Sequence, residues 1–311
     1  MSALLRPDAR RGELIGAGAV ALTIAVALLN FRFEEEWGVG LHFVYSALVA
    51  ALVIALAALA DPIARGPPPR WLSVLLVVSF ILLLFALGNL ADVLGSDDRL
   101  EGSGTAVWVG LLLMALMGWF SMRFDSGIST LLAALTFVVV LLSFVDWVFS
   151  PEGGATFRWI LLGGALALAA FAARGPNRGA HHAVGYVNAA GVSLLGIAIV
   201  YALEGLGPIF LGAGERIDAA AGWELLILAG GFALIAYSVW ARQSGPAYVG
   251  LLNLTAFVLL AYGADEDGPS LIGWPIVMLL IAAASLVAGL RPAAAAPADR
   301  SAEAPPPAPR P

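Results

Sequence analysis

Cysteine is absent from the chain, which excludes disulfides, thiol catalysis and Cys-ligated zinc or iron–sulfur centres. Lysine is absent as well, so all 16 basic residues are arginine. Charge is scarce, at 12% of 311 residues against about 25% in a soluble domain. Three histidines, His42, His181 and His182, are too few and too scattered for a bis-histidine haem core. No nucleotide-binding loop, GxSxG or HExxH pattern occurs, and no basic region suits nucleic acid. This inventory calls for no cofactor.

What the chain has in excess is apolar surface: 60% of residues are hydrophobic and the mean hydropathy is +0.91. A soluble fold carries about 45–50% apolar residues, so the solvent for this chain is lipid. A transmembrane helix needs about 20 mostly apolar residues. Ten stretches qualify: 13–30, 41–60, 71–91, 105–122, 128–148, 157–173, 182–203, 222–241, 246–263 and 271–290. They are too long, and alternate too little, for barrel strands. The fold class expected is therefore all-α, a polytopic transmembrane bundle of about ten spans occupying residues 13–290. All nine tryptophans fall at or just outside a span end, where an amphipathic indole prefers to sit.

Arginine sets the orientation. With the N-terminus in the cytoplasm and ten crossings, 12 arginines lie inside and four (Arg32, Arg99, Arg158 and Arg216) outside. This predicts a multi-pass plasma (inner) membrane protein with both termini cytoplasmic. Residues 1–12 form a short cytoplasmic segment. Arg10-Arg11 followed by an apolar run resembles a signal peptide, but a cleavage box at Ala25-Val26-Ala27 would lie inside that run. The first helix reads as a retained span. The last 21 residues contain eight Ala and seven Pro and read as a disordered cytoplasmic tail.

Three spans share a phrase: Leu22-Thr23 through Leu28, Leu135-Thr136 through Leu141, and Leu254-Thr255 through Leu260. Each of these helices starts near a glycine (Gly12, Gly127, Gly245) and ends before acid. Residues 105–176 overlay 220–292, which predicts two spans followed by two four-span units (2+4+4). Units of even span number are parallel, unlike the inverted repeats of many secondary transporters. The ten-helix drug/metabolite exporters share the span count, but their five-plus-five inverted plan conflicts with units of four.

Ionisable groups deep in a membrane point to function, yet none lies at mid-span here. The polar candidates are Asp146, Glu204 and Asp265 near outer span ends, Arg158 at the outer start of the sixth span, and Asn188 and Asn253 within spans. Asp146 sits in an apolar, aromatic phrase (142–149) and is expected to pair with Arg158 across a short hairpin. Asn253 and Asn188 each need an inter-helix partner or a polar pathway. His181 and His182 are adjacent on a helix and point to different faces, which argues against a shared metal.

The outer face carries 16 acids against four arginines. The clusters Glu34-Glu35-Glu36, Asp97-Asp98 with Glu101, and Asp265-Glu266-Asp267 suit a solvated rim or attraction of a small solute or cation. The function expected first is a small-solute transporter or permease-like protein. The alternative is a non-catalytic membrane scaffold or accessory subunit, and a third reading is a transferase or hydrolase acting at the outer face. Catalysis is the less expected case.

Overall fold

The computed structural model describes residues 12–33, 36–60, 69–96, 102–174, 180–210 and 219–263, with Ile276 and Leu280 helical beyond them. The chain divides into a unit ending at Gly263 and a second from Ala264. The described residues of the first unit form nine helices and no strand: α1 (Gly12–Arg32), α2 (Val39–Ala58), α3 (Arg70–Val93), α4 (Ser103–Phe124), α5 (Gly127–Phe149), α6 (Ala155–Arg174), α7 (Ala180–Phe210), α8 (Ala221–Ala241) and α9 (Ser244–Gly263). All nine are long and apolar enough to cross a membrane. The rest of the tenth span, the Ala/Pro-rich tail and Asp265 lie outside the described residues.

Helices form because lipid supplies no partner for backbone N–H and C=O groups, so each segment must satisfy its own. They stop where local chemistry offers another solution. Between α4 and α5 the turn is two residues long. Asp125 takes the left-handed conformation (φ 50°, ψ 45°) that ends a helix, and Ser126 caps the next by accepting from the Ser129 amide at 3.4 Å. Ser150 and Arg242 end α5 and α8 in the same left-handed conformation. Pro246 lies in the first turn of α9, where a missing N–H costs nothing.

The helices form a two-row array. Each even-numbered helix folds back on the odd-numbered helix that follows it, giving the pairs α2–α3, α4–α5, α6–α7 and α8–α9. The odd helices then pack one against the next, from α1 through α3, α5 and α7 to α9. The core of the first half gathers on α3, whose Leu72, Leu75, Leu76 and Leu82 are buried together with Val53, Met117 and Phe120.

Lipid tails are as apolar as leucine, so helix association rests on close packing rather than on a hydrophobic drive. Small residues supply that closeness. A Cβ added to Gly185 on α7 would stand 2.8 Å from the Gly127 carbonyl oxygen on α5, and one on Gly250 would stand 2.7 Å from the Gly231 oxygen. The first glycine of α1 abuts Trp71 at the start of α3, and a Cβ on Gly127 would stand 2.7 Å from the His181 carbonyl oxygen at the start of α7.

Candidate functional site: polar contacts at the helix ends

The α6–α7 hairpin holds the most charged contact of the described bundle. Arg158, in the first turn of α6, forms an ion pair with the Glu204 carboxylate near the end of α7. Its guanidinium also lies over the buried Tyr201 ring, 4.1 Å from the centroid. The other Glu204 oxygen accepts from the Gly154 amide at 2.7 Å, placing a carboxylate at the N-terminus of α6, where unpaired amides and the helix dipole favour it. A side chain at 154 would meet that same carboxylate and Val200, so one of them would have to shift.

This arrangement corrects the expected Asp146–Arg158 pair. Asp146 is rotated toward α4 and accepts a hydrogen bond from Ser103. The two residues line an open groove of about 420 Å³ with Ser143, Phe157 and Val200. Proximity along the chain suggested the wrong partner, because Arg158 faces α7 rather than α5.

A second polar cluster joins α1, α2 and α3. Asn30, His42, Ser46 and Asn89 are all buried, at 3% exposure or less. Asn89 Nδ2 lies 3.0 Å from Asn30 Oδ1, 3.0 Å from Ser46 Oγ and 3.2 Å from the His42 carbonyl oxygen. Its two hydrogens thus serve three acceptors. Asn30 Nδ2 donates to the Val26 carbonyl at 2.9 Å, and Ser46 donates to the His42 carbonyl at 2.7 Å. The His42 ring is held between the Phe33 carbonyl and the Tyr45 hydroxyl, each at 3.2 Å. A carbonyl only accepts, so Nε2 carries a hydrogen toward Phe33. The sequence reading singled out neither Asn30 nor Asn89. The available signal was two asparagines in the last turns of otherwise apolar spans.

Within the spans, Asn253 and the threonines donate to backbone, while Asn253 Oδ1, Asn188 Oδ1 and Ser79 Oγ are buried without a hydrogen-bond partner. Asn253 on α9 is fully buried and donates to the Gly191 carbonyl of α7 at 3.0 Å and to its own Val249 carbonyl at 2.9 Å. Asn188 lies against Gly245, where an added Cβ would stand 2.8 Å from its Nδ2. Thr23, Thr136 and Thr255 each donate to the carbonyl four residues back.

At the opposite helix ends, the structure brings together three residues that the sequence reading kept apart. Asp125 Oδ1 lies 2.7 Å from His182 Nε2 and 3.1 Å from His181 Nε2. The two imidazole centroids are 4.5 Å apart. Both rings reach one carboxylate because Asp125 swings out on its left-handed turn beside the start of α7. The hydrogen bond from His182 holds the Asp125 carboxyl below the usual carboxylate range, against the opposing effect of burial. His182 Nδ1 is anchored by Thr130 Oγ1 at 2.5 Å.

The fold and these contacts define a multi-pass α-helical membrane protein. No family model and no curated protein matches the sequence. Among solved structures, a chain of the "MycP5-free ESX-5 inner membrane complex, State II" superposes with a TM-score of 0.58. That match covers 91% of this chain and 72% of the other at 13% identity, a likeness of fold.

Proposed function

We propose that the protein is a non-catalytic scaffold or accessory subunit of a multi-subunit inner-membrane assembly. The observation that carries this reading is the use made of mid-span polarity. Asn253, the polar side chain best placed to line a pathway, closes the α7–α9 contact instead. The mid-span threonines are likewise occupied by their own helices. A carrier typically holds its substrate near the bilayer midplane on unwound helix segments, whereas α1–α9 run unbroken. The resemblance in fold to a chain of a multi-subunit membrane complex adds support, and it favours this reading over the small-solute permease expected first.

An apolar groove of about 440 Å³ between α6, α7 and α8, lined by Leu162, Leu166, Val187, Leu226 and Tyr237, offers such an assembly an intramembrane contact face. The orientation that goes with this reading has the N-terminus in the cytoplasm and the Asp125 turn on the same side. The 2+4+4 repeat is part of it, supported by the matching seats of Gly12 against α3 and Gly127 against α7.

The reading is tested by solubilising host membranes in mild detergent and weighing the particle that contains the chain. A reproducible particle with other subunits in fixed stoichiometry is expected. A lone chain that carries a solute across reconstituted vesicles would overturn the proposal.

A further inference from the structure

The Asp125, His181 and His182 cluster has the composition and spacing of a metal site. One ligand atom from each residue lies within 4.8 Å of the other two. A tetrahedral zinc ion, with bonds of about 2.0–2.2 Å, sets its ligand atoms roughly 3.3–3.5 Å apart. The present separations of 2.7 and 3.1 Å from Asp125 Oδ1 are shorter than this, and a small outward rotation of that side chain reaches it. Asp125 is 64% exposed and lies on a turn, so the rotation is unobstructed.

The side-chain arrangement points the same way. Thr130 Oγ1 lies 2.5 Å from His182 Nδ1, 2.7 Å from Ser121 Oγ and 3.0 Å from the Ser126 carbonyl oxygen, so the ring is held at Nδ1 with Nε2 turned to the Asp125 carboxylate 2.7 Å away. His181 Nε2 is buried and has no hydrogen-bond partner, although it faces the same oxygen. The two rings lie side by side, with centroids 4.5 Å apart. A single divalent cation satisfies both nitrogens and the carboxylate together.

We propose that Asp125, His181 and His182 bind a divalent transition-metal ion of the zinc class. Two imidazoles and one carboxylate are the ligands such ions select, and a three-residue set leaves the fourth position to water. Thr130 acts on the ion through His182, fixing its ring orientation as outer-shell partners do. The metal ties the α4–α5 turn to the start of α7, elements 56 residues apart in sequence. This inference is independent of the subunit reading.

The test uses the full chain, purified on a tag without histidine, stripped with chelator and titrated with Zn²⁺ and with Co²⁺ as a spectroscopic probe. One saturable equivalent per chain is expected, with a tetrahedral Co²⁺ spectrum and a raised melting temperature that chelator reverses. His181→Gln, on a partly exposed side chain, and Asp125→Asn should each abolish stoichiometric binding. Thr130→Val should weaken it about 10–100-fold. No saturable binding by the unaltered chain, or binding left intact in both His181→Gln and Asp125→Asn, would overturn the proposal.

Discussion

Arg158 and Glu204 meet across the α6–α7 hairpin, and the same carboxylate that holds the guanidinium also caps the helix on which Arg158 sits. The Arg158 side chain is 14% exposed and stacks on Tyr201, so little water competes for it. One carboxylate thereby sets both the start of α6 and its rotation against α7.

Removing either partner leaves the other without its counter-charge, so the two substitutions should not add. Arg158→Gln and Glu204→Gln should each lower the melting temperature in detergent. Their double mutant should show a coupling of about 0.5–3 kcal/mol. Asp146→Asn, which touches Ser103 instead, should be additive with Arg158→Gln. Coupling between 146 and 158 and none between 158 and 204 would reverse the assignment.

Asn89 is the donor that unites three helices. Asn89→Leu should cost about 1–3 kcal/mol, because Asn30 Oδ1 and Ser46 Oγ lose a buried donor. Denaturant titration of the solubilised protein measures this. An unchanged midpoint would mean that the cluster adds nothing to the packing of α1 on α3.

These two cases show where the sequence was legible and where it was not. Lipid demands a long apolar run for every crossing, so the nine described helices fall on the first nine spans read from hydropathy. Helix rotation leaves no such mark. In water an amphipathic stripe shows which face is inside, but here the buried residues of α5 include Ser129, Thr130 and Thr136, so apolarity does not mark its packed side. Asp146 was therefore visible as a polar group, while its partner on α4 was not. The Asp125–His181–His182 cluster was hidden for a different reason: its members are 56 residues apart and joined by no motif spacing. Asn253 was recognised as a residue needing a partner, and the structure supplies one on α7.

Glycine contacts give a sharper test of helix proximity than average hydropathy. At Gly185 a Cβ would stand 2.8 Å from one backbone atom of α5 and 3.2 Å from another, so neither neighbour is a side chain able to turn away. Gly185→Ala should destabilise by about 1–3 kcal/mol. Gly163→Ala meets nothing within 4 Å and should be neutral, or stabilise by up to about 1 kcal/mol through helix propensity. Equal effects at the two positions would contradict the α5–α7 contact.

A cysteine-free chain makes topology directly readable. Ser96→Cys should react with an impermeant thiol reagent added outside intact cells. Ser244→Cys, at the start of α9, should react only after the membrane is opened. Labelling of Ser244→Cys in intact cells would refute the proposed orientation.

The central claim is that Asn253 joins two helices and does not line an aqueous path. Asn253→Cys tests it most directly, since position 253 is fully buried on the α7–α9 contact. Small charged thiol reagents, applied in turn from each side of the membrane, should leave this cysteine unmodified while Ser96→Cys reacts fully. Rapid modification at 253 from either side, slowed by a particular solute, would contradict the account and restore the transport reading.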